Sequence, residues 1–449
     1  MSADSLGSWW QASTGNVSDD ITPSYTALMK LSLVLTDSPS ALAIGQQLLL
    51  ASAFVAVAAA LVHLGVHRWL VIACTAVLLC TPMVGAFSIS LWKDIPYSAA
   101  LLYCGAALVW LLARRNAGQR TARELAGPLT LLLVAGCAAV VLRQNGVFFT
   151  GALGGILFVS LKGARRWVFA GTACTGLVLV LLKSALYPLA GVDPSAEQLK
   201  YASLLHDVGA VVHHQPAALD ADDRAELAEL APIEQWSRNY SCYTVNPLYY
   251  GANMRFESLA EDPAAFRAVW QELVLEEPAT VLGHRVCAAS IAWRPMAVDR
   301  RISVLYTVSN GIDPNGDGLA TTPLWSDLNR LGRWLIGVVN NPSREWYLWR
   351  APTWIYACYV ALAVAAVRNR SALLLLPGAA LLAQQLGVAV LNPAQDARYM
   401  MGSLMLAVLL LPLATVKLRP AVAAEPAPPP PRDNSVDPTE VHGAPDSDC

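Results

Sequence analysis

The sequence predicts an all-α polytopic membrane protein: about nine transmembrane helices and one large, mainly helical extracytoplasmic domain. Three observations lead there. Of 449 residues, 55% are hydrophobic and only 14% charged, where a soluble domain carries about a quarter charged residues. The mean hydropathy is +0.43. The charges are crowded between long apolar runs, and the short connections at one set of alternating ends are basic.

Residues 1–35 are polar and hold Asp4, Asp19 and Asp20. They lack the basic start and apolar core of a cleavable signal peptide and read as an extracytoplasmic N-terminal loop. Apolar runs of spanning or near-spanning length follow at about 40–63, 69–90, 96–113, 125–142, 146–161 and 167–189, within a membrane domain of 36–190. Three more, at about 352–367, 372–391 and 400–416, make a second membrane part over 351–417. His67-Arg68, the stretch from Arg114 to Arg123, Lys162 to Arg166, Arg368-Asn369-Arg370 and Lys417 to Arg419 lie at one set of ends. By the positive-inside rule those ends are cytoplasmic. The N-terminus is then outside and the C-terminus inside. Export of a polar stretch with no span before it leads to the expectation of a further helix ahead of Met1, giving ten spans, or of a first span that acts as a reverse signal-anchor.

Residues 191–350 regain an ordinary charge density and form the expected extracytoplasmic domain, with amphipathic helical patterns near 195–212, 221–230, 263–276 and 278–292. Residues 418–449 are rich in Pro and acidic side chains and read as a disordered cytoplasmic tail. The net charge of −2 gives no footprint for nucleic acid. The nine cysteines show no CxxC spacing, so neither a zinc site nor a redox motif is indicated. A multi-pass protein of the cell membrane, with the lipid bilayer as its first partner, is the reading.

The informative charges sit at the other set of ends. Asp4 and Asp20 precede the first span, Lys93 and Asp94 follow the second, Arg143 follows the fourth, and Arg398 precedes the last. Each has a plain explanation: a cation can snorkel, and an acidic arm can be solvated. Charges near lipid are expensive unless they pair or face a polar cavity. Carboxylates for base work together with cations for a phosphate are what a lipid-phosphate substrate requires.

The motifs are Ala3-Asp4-Ser5-Leu6-Gly7-Ser8-Trp9-Trp10, Ser18-Asp19-Asp20-Ile21-Thr22-Pro23-Ser24-Tyr25, Trp92-Lys93-Asp94-Ile95-Pro96, Arg143-Gln144-Asn145-Gly146 and Arg398-Tyr399. In order and spacing they resemble the integral-membrane glycosyltransferases of the GT-C superfamily, over about 250 residues of the membrane part. The resemblance implies inverting transfer of a sugar from a polyprenyl-phosphate-linked donor to a cell-envelope glycan, lipid or protein acceptor. Asp4, Asp20 and Asp94 are the catalytic candidates, with Asp4 the first choice of base. Lys93, Arg143 and Arg398 would hold the lipid phosphate. Asp94 would orient Lys93 or hold a divalent cation, the one cofactor in view. The first span of such enzymes is absent here. Their adjacent Asp-Glu and Asp-x-His-Pro-Pro forms are replaced, so the choice between Asp4 and Asp20 stays open.

Other features carry less. Asp313, Asn315 and Asp317 with Gly318 match the start of a calcium loop, but Leu324 stands where the bidentate Glu belongs, and an Asx/Gly turn is the plainer reading. Cys242 and Cys287 are the cysteines of the exported segment and are candidates for a disulfide. His206, His213 and His214 read as surface histidines, and Lys183 as a snorkelling side chain. The rival readings are a transporter or lipid/polysaccharide flippase and a non-catalytic envelope assembly protein. A transporter would carry charges near the bilayer midplane and related halves; here the charges gather at one face and the halves are unequal.

Overall fold

The structure is a computed structural model and describes residues 2–119, 121, 123–296, 312, 315–323 and 325–418. The tail beyond Leu418 lies outside the described residues, as do Asp313 and Leu324 of the loop weighed as a calcium site. Asn315 and Asp317 are described. Asn315 accepts from the backbone N–H groups of Asp317 and Leu319, as in a plain Asx turn.

Every regular element among the described residues is a helix. The expected N-terminal loop is itself helical: α1 (Ala3–Thr14) and α2 (Pro23–Thr36) pack on each other. The buried face of α1 is Ser5, Ser8, Gln11 and Ala12, which presents no apolar stripe for the eye to find. Tyr25 and Met29 of α2 are fully buried against Ala12, Leu42 and Leu91.

The membrane helices begin with α3 (Ser40–Leu64). The expected second span is broken into α4 (Arg68–Leu79) and α5 (Pro82–Ile89), turned 65° from each other. Proline is at home in the first turn of a helix and cannot continue the one before it, so Thr81-Pro82 ends one segment and starts the next. Helix α6 (Asp94–Asn116) is the centre of the bundle and is buried on nearly all sides. Asp94 sits in its first turn and Arg114 and Arg115 in its last, each favourable to the helix dipole. Helices α7 (Ala126–Leu142) and α8 (Gly146–Ser160) form a tight hairpin. A Cβ at Gly146 would stand 2.3 Å from the Ala139 carbonyl oxygen, so only glycine fits there. Helix α9 (Arg165–Leu181) runs on through Leu182–Leu186 to Leu189.

Between residues 197 and 288 the helices of seven or more residues are α10 (Glu197–His214), α11 (Ala221–Leu230), α12 (Ile233–Asn239), α13 (Pro263–Glu276) and α14 (Pro278–Ala288). Asp220 and Asp262 cap the first turns of α11 and α13 by accepting backbone N–H groups. A separate core with Leu205, Trp236, Leu248, Phe266 and Leu273 holds the group together, and Cys242 and Cys287 are joined by a disulfide. His206 is not a surface residue. It is buried, with Nε2 donating to the Ser241 carbonyl (2.7 Å), and its ring lies 4.2 Å from that of His284, also buried. The core of this group spans Tyr201 to Val281, whereas Ile291, Ala292 and Val339 belong to the core of the bundle.

After α15 (Ser326–Val339), the chain re-enters the bundle as α16 (Ala351–Arg368), α17 (Ala379–Val390) and α18 (Met401–Leu410). By length and composition five segments are able to cross a membrane: Ser40–Leu64, Asp94–Asn116, Lys162–Leu189, Pro342–Arg368 and Ala372–Val390. The α4–α5 pair makes a sixth if counted as one span, while α7, α8 and Met401–Thr415 are apolar but shorter. Several apolar helices therefore place the chain in a lipid bilayer.

Candidate functional site

Six side chains from four connections meet where the spans bear the 191–350 region. Asp4, Asp20, Lys93, Asp94, Arg143 and Arg398 all line one cavity of about 170 Å³. Each is set there by local structure. Asp4 stands in the first turn of α1, and Asp20 in the turn leading to α2. Lys93 caps the start of α6 and Asp94 opens it. Arg143 ends α7 in extended backbone, just before the Gly146 hairpin. Arg398 lies in the short turn Ala397–Tyr399, fixed by Asp396 accepting from the Arg398 backbone N–H.

The charges pair in a particular way. Arg143 is 2.9 Å from Asp94, and both side chains are buried. Arg398 reaches two carboxylates: it donates to Asp4 and lies 2.8 Å from Asp396. The guanidinium groups are sandwiched among rings. Arg143 lies 4.4 Å from the Tyr399 ring centre and 5.5 Å from that of Tyr97; Arg398 lies 5.4 Å from Trp92 and from Tyr399. Tyr97 donates to Gln384 (2.6 Å), and Gln384 donates to the Tyr399 carbonyl (2.9 Å), so α17 braces the floor of the cavity. Asp396 comes with Arg398 in the same turn. Nothing local in the sequence singles out Tyr97 or Gln384, which only the fold brings here.

Two members of the set have no ion pair among the described residues: Lys93 and Asp20. Asp20 Oδ1 accepts the Ala196 backbone N–H (2.8 Å). Burial weakens the hold of Lys93 on its proton, against the pull of Asp94 and Asp4. Burial alone would raise the Asp4 carboxyl, but Arg398, by charge and hydrogen bond, with Lys93 and Arg143, holds it below the ordinary carboxylate range. Burial raises Asp396 against the opposing pull of Arg398.

Asp19, beside Asp20, has a structural part. It accepts from Gln144 (3.1 Å), its backbone pairs with Asp193, and its carboxylate meets Lys183 at 2.5 Å. Lys183 is thus held by an ion pair, because the Ser18–Asp193 bridge brings Asp19 to the end of the α9 run. Asp20, Gln144, Asn145 and Pro393 also line a second chamber of about 800 Å³, bounded further out by Lys183, Tyr187 and Ser195. Asp20 therefore stands on the wall between the two.

Among the described residues no group of three or more His, Cys, Asp or Glu is arranged to hold a metal ion. Asp94, the candidate for orienting Lys93 or holding a divalent cation, has its carboxylate engaged by Arg143.

A family model described as a family of unknown function, DUF6020, matches residues 20–284, more than half of the chain. The matched stretch takes in Asp20, Lys93, Asp94 and Arg143 and leaves out Asp4 and Arg398. No curated protein and no solved structure matches the chain.

Proposed function

Because the chain belongs to the DUF6020 family, whose description carries no activity, we propose its function from the site alone. It is a membrane glycosyltransferase that moves a sugar from a polyprenyl-phosphate-linked donor to a cell-envelope acceptor at the outer face of the cell membrane. One observation carries the reading: three cations and three carboxylates from distant parts of the chain share one cavity, at the end of the Asp94–Asn116 helix that is able to span a membrane. The GT-C resemblance of the motifs supports the choice of reaction.

In the reaction an acceptor hydroxyl oxygen attacks the anomeric carbon, and the bond from that carbon to the phosphate oxygen breaks. The polyprenyl phosphate leaves with the electron pair. The hydroxyl proton passes to a carboxylate. We assign the base as Asp20 rather than Asp4, the first choice of the motif reading. Asp4 is bound to Arg398, which holds its carboxyl below the ordinary range, and Asp94 is engaged by Arg143, whereas Asp20 has no cation partner among the described residues and lines both chambers. Lys93 has no carboxylate partner among them to give up, so a phosphate arriving in the cavity gains a cation at little cost. A phosphate beside Lys93 would also restore its full charge against burial. The aromatic-stacked Arg143 and Arg398 shape the rest of the anion site.

The test is transfer by the purified protein in nanodiscs, supplied with a synthetic polyprenyl-phosphate sugar and read as release of free polyprenyl phosphate. Asp20→Asn should lower turnover by about 10² or more, the usual worth of a general base. Asp4→Asn should cost less, and Lys93→Ala should raise the donor KM. Donor movement across the bilayer with no release would favour a flippase. Full turnover in both Asp20→Asn and Lys93→Ala would remove the enzyme reading.

A further inference from the structure

Helix α15 has one face that the fold does not use. Leu328, Leu331 and Trp334 recur at three-residue spacing and are each half-exposed or more, with Trp325 leading into them. Asn329, Arg330 and Arg333 occupy the other side. An exposed Trp–Leu face this long is not left in water by a soluble surface.

The position of the helix says what covers it. Its last carbonyls are tied to the segment that follows: Arg344 donates to the Val338 carbonyl (2.9 Å), and the buried Trp349 indole donates to that of Val339 (2.9 Å). That segment, Pro342–Arg368, is one of the five able to span a membrane. On its inner side α15 packs on α5, whose chain runs on through Trp92 to the charged cavity. Helix α15 is thus held at the end of a membrane span, at the depth where the bundle meets the headgroups. Trp346, also half-exposed, stands at the same end of that span. Indole rings collect at this depth, and an amphipathic helix with arginine on its polar face lies in the plane of the surface there.

We propose that α15 is an in-plane membrane anchor. Trp325, Leu328, Leu331 and Trp334 sit in the boundary between headgroups and acyl chains, on the membrane face that bears the charged cavity, and Arg330 and Arg333 face the headgroups. The proposal is independent of the transfer reaction. Because α15 packs on α5, the anchor would fix the depth of the cavity wall relative to the phosphate plane.

The experiment uses the full chain in nanodiscs, with ordinary phosphatidylcholine or with phosphatidylcholine brominated near the top of its acyl chains. The difference between the emission of the wild type and that of Trp325→Phe/Trp334→Phe isolates two indoles out of 14. The substitutions keep the face apolar, so the fold is retained. The difference emission is expected to be blue-shifted and to lose most of its intensity in the brominated lipid. Adding Arg333→Trp to the double variant should bring back emission that bromine barely quenches. A blue-shifted difference emission that bromine leaves intact would mean that protein, such as a second copy of the chain, covers the face, and would overturn the proposal. Emission as red as a water-exposed indole would overturn it equally.

Discussion

Arg143 reaches the cavity because the chain folds back at Gly146. Gly146→Ala would drive a methyl group against the Ala139 carbonyl, a clash with backbone that no rotamer change relieves. It should cost about 1–3 kcal/mol, read as a lower Tm in detergent, with loss of donor binding as Arg143 shifts. A second residue-scale expectation concerns His206 and His284. Burial pushes His206 down to about 4; burial, then the neighbouring His206 and Arg285, pushes His284 down to about 3. Both fall below the ordinary value of about 6.5, so the unfolded chain takes up protons first. Stability is complete above pH 6.5 and falls as the pH drops towards 4, by about 1.4 kcal/mol per unit for each histidine. Asp207, raised by burial, opposes this only nearer the carboxylate range. Thermal unfolding in nanodiscs at pH 7.5, 6.5 and 5.5 measures the effect, and a flat Tm would contradict neutral, buried rings. The three cavity cations were legible in the sequence because Lys and Arg at the ends opposite the basic connections are unusual, and carboxylates stand near them in the motifs. The partner Gln384 was not, since a pairing with Tyr97 across 287 residues leaves no local mark.

The helices of the 191–350 region follow their amphipathic patterns closely; α11 and α13 begin and end where the periodicity does. The failures are where burial is not apolar or where a span is interrupted. Helix α1 buries serines, and Pro82 bends a run whose hydropathy reads as continuous. The α14 cross-link is worth a direct measurement. Cys242→Ser/Cys287→Ser reopens a loop with a sequence separation of 45, and chain entropy alone puts the loss at about 4 kcal/mol. Limited proteolysis should then cut between α12 and α14 sooner than in the wild type. Equal resistance would mean that the separate core around Trp236 suffices.

For the whole molecule the open quantity is orientation. The basic connections predict that the 191–350 region lies outside. An alkaline phosphatase fusion near Asp262 should be active and one at Gln119 inactive; the reverse pattern would invert the molecule and move the cavity to the cytoplasm. The Asp4–Arg398 contact has a separate meaning for biogenesis. These partners lie 394 positions apart in the chain, on opposite sides of the 191–350 region. During synthesis the cavity has its acid long before it has the matching base, and neither half of a cut chain holds both. The pocket is complete only once both of these segments are in place, so assembly of the cavity waits on a part of the chain made late.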